Sequence, residues 1–391
     1  MRPKAPTQKN FGVAAAPPRE RPAPRDPDFA IRDVSVHPVS EPESGASRVI
    51  VQITTAGGWS GYGEAPATPL AAGRLGALKP LLTGLDALGY VAIDQHLRSS
   101  PLAAAFPGAP AAVNAALLDI QGRAVKAPVY EVLGGRTRDK VRAMAVLAAG
   151  SPEGLRDEVQ RAKAAGFRAF SVPLRIPEGP VRGRAFFRDA RKLMDSLRAA
   201  AGEDSDFVLD CAGRITPGEG LSLAAALEDF HPLWLDEPAG ELSGTALAQI
   251  AGGATTSVGY GRNFRDNARF QDLLREDAID VLRPDITGMS LVDIRQAAAL
   301  AETYYVAVAP FQRSGPIASA AALQLAAAIP NFVIQEVPFV SGRDRGMRDS
   351  LVGGAVESPV DGFFRLPAGP GLGITVDAAV LKQYRSPREE A

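Results

Sequence analysis

Four apolar segments of this chain end on residues that can do electrostatic or acid–base chemistry. "FVLDCAG" (207–213) carries Asp210, and "LWLDEP" (233–238) carries Asp236 and Glu237. "TTSVGYGRNF" (255–264) carries Arg262, and "DVLRPD" (280–285) carries Arg283 and Asp285. Two carboxylates at adjacent strand ends, Asp210 and Asp236, could offer hard oxygen ligands to Mg²⁺. An arginine among them is chemically different, because a guanidinium stays protonated and has no lone pair for a metal. A single strand-end aspartate reads as a helix cap. Several acids converging on one face read as a site.

The elements that must bring these residues together follow from the rhythm of the chain. After Arg136, short apolar runs alternate with amphipathic stretches. The runs fall at 141–147, 167–174, 206–210, 232–237, 255–261, 278–285, 304–310 and 331–336. Eight strands with about seven intervening helices is the pattern of a (β/α) barrel, whose active sites lie at the carboxyl ends of the strands. A doubly wound open sheet is the alternative, and no G-x-G-x-x-G follows the first strand. The site candidates on the barrel reading are therefore Ser171, Pro173, Asp210, Asp236, Glu237, Arg262, Asp285, Phe311 and Glu336. Ahead of the barrel, "IRDVSVHPV" and "SRVIVQITT" alternate as strands and 71–126 is helical, which makes an α+β unit. The expected division is a disordered tail over 1–26, an α+β capping domain over 27–138 and a barrel over 139–355. A turn-rich segment, 356–391, then returns to the cap.

The chain has 391 residues and a net charge of −1, so no nucleic-acid or anionic-membrane partner is expected. One cysteine, Cys211, leaves no internal disulfide and no thiolate cage. No apolar run reaches the roughly 18 residues of a membrane span. The amino-terminal stretch lacks the apolar core of a secretory signal, and a cytoplasmic location is expected.

Four stretches together resemble the enolase superfamily, within it the mandelate racemase and muconate lactonizing enzyme branch. They are "GYGEA" (61–65), "AALLDIQGRAVKAPVYEVLGG" (115–135), "WLDEP" (234–238) and "PAGPGLGI" (367–374), supported by "DVLRPD" and "NFVIQE" (331–336). The resemblance runs from about Phe29 onward and implies a modified (β/α)8 TIM barrel with an α+β cap completed by the carboxyl-terminal segment. It also implies a homo-oligomer and a small carboxylate or acid-sugar ligand. The chemistry it implies is abstraction of a proton next to a carboxylate, with Mg²⁺ stabilising the enediolate.

Residue by residue, the implied site is altered. Asp210 matches the first metal ligand and Asp236 the second, where the family usually has glutamate. The third ligand falls on Arg262. A guanidinium about 4 Å from a divalent ion is repelled by roughly 8 kcal/mol at an effective dielectric of ~20. Arg262 is therefore expected to pair with Asp210 and Asp236 in place of the ion, and no cofactor is expected. The Lys-x-Lys bases fall on Ser171 and Pro173, and the catalytic histidine falls on Phe311, leaving Asp285 without its histidine. The chain's histidines, His37, His96 and His231, lie in the cap or ahead of strand four. Glu336 matches an acid that assists enolisation.

Three readings stay open. One is metal-independent chemistry with Asp285 and Glu336 moving protons and Arg262 stabilising charge. Another is a pseudoenzyme kept for binding or assembly. The third is Mg²⁺-dependent racemase or dehydratase chemistry through Asp210, Asp236, Glu237 and water. Tyr260, Arg283, Gln312, Arg313 and Ser171 are the expected substrate-binding residues, and cap loops 38–47 and 65–74 are expected to choose the substrate.

Overall fold

The computed structural model describes residue 24 and residues 26–67, 74–179, 182–240 and 244–386. The expected tail thus lies outside the described residues except for Pro24 and Asp26, as do 68–73 of the second cap loop.

Three alternating segments form an antiparallel meander in the cap: β1 (Ile31–Ser40), β2 (Ser47–Thr55) and β3 (Ser60–Pro66). The helix Ala109–Ala124 lies directly on β3. A Cβ on Gly61 would sit 2.1 Å from the Ala116 carbonyl, and one on Gly63 would sit 1.8 Å from that of Ala112. Only glycine permits this approach of strand to helix backbone, which accounts for "GYGEA" physically. Asp119 on the same helix is fully buried and accepts from Tyr62 N at 3.2 Å, Leu372 N at 2.8 Å and Arg123 Nε at 3.0 Å. One carboxylate thereby ties β3, the cap helix and "PGLG" together. Burial dominates its titration and raises its pKa.

The barrel strands are β4 (Lys140–Val146), β5 (Ala169–Pro173), β6 (Asp206–Asp210), β7 (Trp234–Asp236), β8 (Val258–Tyr260), β9 (Val281–Leu282), β10 (Ala307–Val308) and β11 (Gln335–Pro338). Neighbours in this series pair in parallel from β4 through β10, and β11 pairs β4. A bridge between Val308 and Phe332 closes the ring. Met144, Ala169, Val208, Trp234, Val281 and Ile334 fill the interior as one buried cluster. These observations give a modified TIM barrel with a capping unit.

Several strands are shorter than the apolar runs that announce them: β8 is 258–260 rather than 255–261, β9 is 281–282 rather than 278–285 and β10 is 307–308 rather than 304–310, because the parallel ladders run only through those residues. The last barrel strand begins at Gln335 rather than at 331, because its ladder forms with β4 from Gln335 onward. Before that point it touches β10 only through the single bridge. Within 356–391, β12 (Phe363–Arg365) pairs antiparallel with the start of β4, at the end of the barrel away from the strand-end acids. Gly371 and Arg385 then bridge to Pro128 and Val39 of the cap.

The strand-end acids are not helix caps. Ser151, Thr216, Asp266 and Ser290 are the side chains that cap the helices Pro152–Ala164, Pro217–Leu227, Asn267–Arg275 and Leu291–Glu302. That leaves Asp210, Asp236 and Asp285 for other contacts.

Candidate functional site at the barrel mouth

Asp210 and Asp236 end β6 and β7, Arg283 follows β9 and Glu336 is the second residue of β11, and ion pairs join them across the barrel. Arg262 Nη1 donates to both oxygens of Asp210, at 3.1 and 3.0 Å, and lies 3.9 Å from Asp236. Arg313 Nη2 donates to Asp210 Oδ2 at 2.8 Å. Burial works to raise the Asp210 pKa, but Arg313 and Arg262 outweigh it and hold this carboxyl below its usual range. Arg283 lies beneath them with no exposed surface. Its Nε and Nη2 donate to Asp236 at 2.8 and 3.4 Å, and Nη2 also donates to Glu336 at 2.7 Å. Trp234 Nε1 donates to Asp236 Oδ1 at 2.9 Å. Three guanidiniums (Arg262, Arg283, Arg313) thus face three carboxylates (Asp210, Asp236, Glu336), and their formal charges cancel.

Phe311, which stands where the resemblance places a histidine, is the apolar centre of this network. The Arg313, Arg262 and Arg283 guanidinium carbons lie 5.0, 5.5 and 6.0 Å from its ring centroid. Cations gather around the ring face through its quadrupole.

Other expected site residues sit differently. Glu336 is fully buried, accepting from Arg283 and from Gln312 N at 3.1 Å. Asp285 accepts from Thr287 N and Oγ1 at 2.9 and 2.8 Å and lies 3.2 Å from Arg265. Its burial raises its pKa. Gln312 is buried and donates Nε2 to Gly315 O and Ser319 Oγ. Tyr260 packs its ring against Phe264 and donates its hydroxyl to Gly240 O at 2.7 Å, so it supports the strand end from outside. Arg283, expected to bind substrate, lies instead inside the barrel with no exposed surface. Ser171 is buried with no hydrogen-bond partner for Oγ among the described residues.

Glu237 follows Asp236 in a left-handed conformation, φ +47°. Its Oε1 accepts from Gly261 N and Arg262 N at 2.8 and 2.9 Å, fixing the backbone that presents Arg262. Burial, and then Asp236, push its pKa up to about 7.

These residues do not fit Mg²⁺. Both oxygens of Asp210 and both of Asp236 already accept from cationic or indole donors, and the third position holds a cation. Glu237 turns its carboxylate to backbone N–H groups. Among the described residues no group of three His, Cys, Asp or Glu side chains is arranged to hold a metal ion.

A cavity of about 480 Å³ opens above the network, between the cap and the ends of β4, β5 and β11. Arg313, the most exposed of the three arginines, lines it beside Pro173 and Ser314. The cap contributes Glu41, Ser44, Ser47 and Arg48, and the helix Gly342–Leu351 contributes Arg348. Asp344 on that helix accepts from the backbone of Glu43 and Ser44 at 2.7 and 2.9 Å and holds loop 38–47 over the mouth. A larger cavity, about 970 Å³, lies on the outer flank beside the helix Arg184–Ala201, and none of the strand-end acids lines it. Sequence reasoning missed Arg48 and Arg348 as parts of the mouth. Their only signal was a charge beside the start of an apolar run or within a polar helix, which occurs equally on open surfaces.

Two family descriptions match the chain. "Enolase C-terminal domain-like" covers residues 154–380, and "Mandelate racemase / muconate lactonizing enzyme, N-terminal domain" covers 31–134. A D-xylonate dehydratase of Haloferax volcanii is 27% identical over 86% of this chain and 85% of its own. A D-galactonate dehydratase of Variovorax paradoxus is 29% identical over 68% and 71%. The crystal structure of a mandelate racemase/muconate lactonizing enzyme-like protein from Roseovarius sp. TM1035 superposes with a TM-score of 0.80. It is 25% identical and covers 91% of this chain and 96% of that one.

Proposed function

The chain belongs to the mandelate racemase/muconate lactonizing enzyme branch of the enolase superfamily, and we propose that it binds a small hydroxylated carboxylate of the acid-sugar class without metal and without proton transfer. The observation that carries this reading is the double capture of Asp210 by Arg262 and Arg313 beneath a cleft of small-molecule size. Arg262 reaches Asp210 through Nη1 and Arg313 reaches it through Nη2, so each guanidinium has a second NH₂ group outside those bonds. A ligand carboxylate can accept from those groups as a charge-assisted pair. The curated relatives are named for acid-sugar substrates, which supports the ligand class.

Among the described residues of the mouth, Glu237 turns its carboxylate to the backbone of Gly261 and Arg262, and the remaining positions supply no free proton carrier. Ser171 and Pro173 hold no base, and Phe311 cannot exchange a proton. Glu336 has no exposed surface, and Asp285 is engaged by Thr287 and Arg265. This weighs against metal-independent acid–base chemistry by that pair.

The test is incubation with D-xylonate and D-galactonate, with and without Mg²⁺, following thermal stabilisation and release of a 2-keto-3-deoxy acid. The expected result is stabilisation that does not depend on Mg²⁺, with no keto acid. Mg²⁺-dependent keto acid formation overturns the proposal.

A further inference from the structure

The backbone of Arg262 is gripped from both sides. Its N–H donates to Glu237 Oε1 at 2.9 Å, from the β7 side of the mouth. Its carbonyl accepts from Arg265 Nη1 at 3.0 Å, and the same nitrogen donates to Phe264 O at 2.8 Å. The other terminal nitrogen of Arg265, Nη2, lies 3.2 Å from Asp285 Oδ2, beyond the end of β9. One guanidinium thus ties the turn after β8 to the segment after β9. Asp285 is itself fixed by Thr287 N and Oγ1, so the tie ends on an anchored group.

Gly288 makes room for this tie. A Cβ there would sit 2.5 Å from Arg265 Cζ, and 2.6 and 2.7 Å from its Nε and Nη1. The backbone of Gly288 lies outside the left-handed region and admits alanine, but the guanidinium in its present place does not. A bond local to the turn would need neither Asp285 nor a bare position at 288. Two carbonyls and a carboxylate are met by one planar fork of donors, which a lysine ammonium cannot reproduce. The tie matters for the site because Arg262 Nη1 meets both Asp210 oxygens, at 3.1 and 3.0 Å, from the end of a long side chain. A small tilt of the Arg262 peptide moves that tip out of hydrogen-bonding geometry.

Building on the carboxylate-binding reading above, we propose that Arg265 is a positioning residue of the mouth. It aims the Arg262 guanidinium at Asp210 and at the ligand carboxylate without touching the ligand, and it depends on the bare Gly288 to do so.

The experiment is calorimetric titration of the full chain with D-galactonate, without divalent ions, together with amide exchange at Arg262. Arg265→Gln and Gly288→Ala are each expected to weaken binding roughly tenfold, and Arg265→Lys nearly as much. In an Arg262→Gln background, where Arg313 still holds the ligand, the same changes are expected to shift affinity by less than about twofold, because Arg265 has nothing left to aim. A full additional loss in that background, or unimpaired binding by Arg265→Lys, means that Arg265 acts on the ligand by contact or by charge, and overturns the proposal. Unchanged affinity in both Arg265→Gln and Gly288→Ala overturns it too. Failure of galactonate to bind the unaltered protein overturns the carboxylate reading, and amide exchange then decides the positioning. Faster exchange at Arg262 N in Arg265→Gln and Gly288→Ala is expected, and unchanged exchange overturns it. Gly288→Ala leaves the arginine in the chain, so the test stands even if Arg265→Gln does not fold.

Discussion

Arg283 donates to both oxygens of Asp236, at 2.8 and 3.4 Å, with neither side chain exposed to solvent. The same guanidinium reaches Glu336 across the barrel at 2.7 Å. A cation fixed by covalent structure therefore sits between two carboxylates of the mouth, and with Arg262 and Arg313 it balances their charge. The arrangement is held from below by the barrel core, against Trp234, rather than by anything entering from solvent.

Removing that cation should be expensive. Arg283→Met keeps most of the volume but leaves Asp236 and Glu336 buried without their counter-charge. A loss of about 3–5 kcal/mol in unfolding free energy is expected, read from the urea midpoint at unchanged slope. A change below about 1 kcal/mol would mean that water reaches these carboxylates.

Metal response follows from Arg262. The unaltered protein should show no thermal shift in about 10 mM Mg²⁺ or Mn²⁺, since binding would stabilise by RT ln(1 + [L]/Kd). Arg262→Glu places three carboxylates at the mouth and should create a saturable Mn²⁺ response. Saturable binding to the unaltered protein would show that Arg262 swings aside.

Glu237 gives the mouth a pH dependence of definite sign. Burial, then Asp236, raise its folded pKa from 4.5 to about 7. Between those values the folded state holds a proton that the unfolded state has lost, so stability declines as pH rises through that window. The decline amounts to about 3 kcal/mol at most for a group this buried. Glu237→Gln keeps a carbonyl acceptor for Gly261 N and Arg262 N and should flatten that slope. Denaturation curves from pH 5 to 8 would show this, and parallel slopes for both proteins would refute the assignment.

Glu64 latches the cap to the barrel. Its carboxylate accepts from Ser314 Oγ at 2.6 Å, from Ile317 N and Ala318 N at 3.1 and 3.2 Å, and from Gly315 N. It occupies the amino terminus of the helix Pro316–Ala328, where unpaired N–H groups and the helix dipole favour an anion. Glu64→Ala should cost about 3 kcal/mol and speed amide exchange at 315–318. Unchanged exchange there would place the latch elsewhere.

The sequence by itself determined the alternation of strands and helices and the barrel, because these depend on local periodicity; where each strand stops was decided by the ladder it forms with its neighbours. It also determined that Arg262, Ser171, Pro173 and Phe311 stand where a metal ligand and bases are implied, because side-chain chemistry is a property of residue type. "GYGEA" was legible as a motif, but its reason is a steric one between β3 and the helix Ala109–Ala124. Only the tertiary structure decided which charges meet. Arg313 reaches Asp210 from 103 positions away, and Arg348 reaches Glu41 from 307. It also decided that Arg283 lies inward while Arg313 faces solvent. Pairing and burial of charges are set by which elements the fold packs together, and an arginine's type is the same in a core, in a cleft or on an open surface.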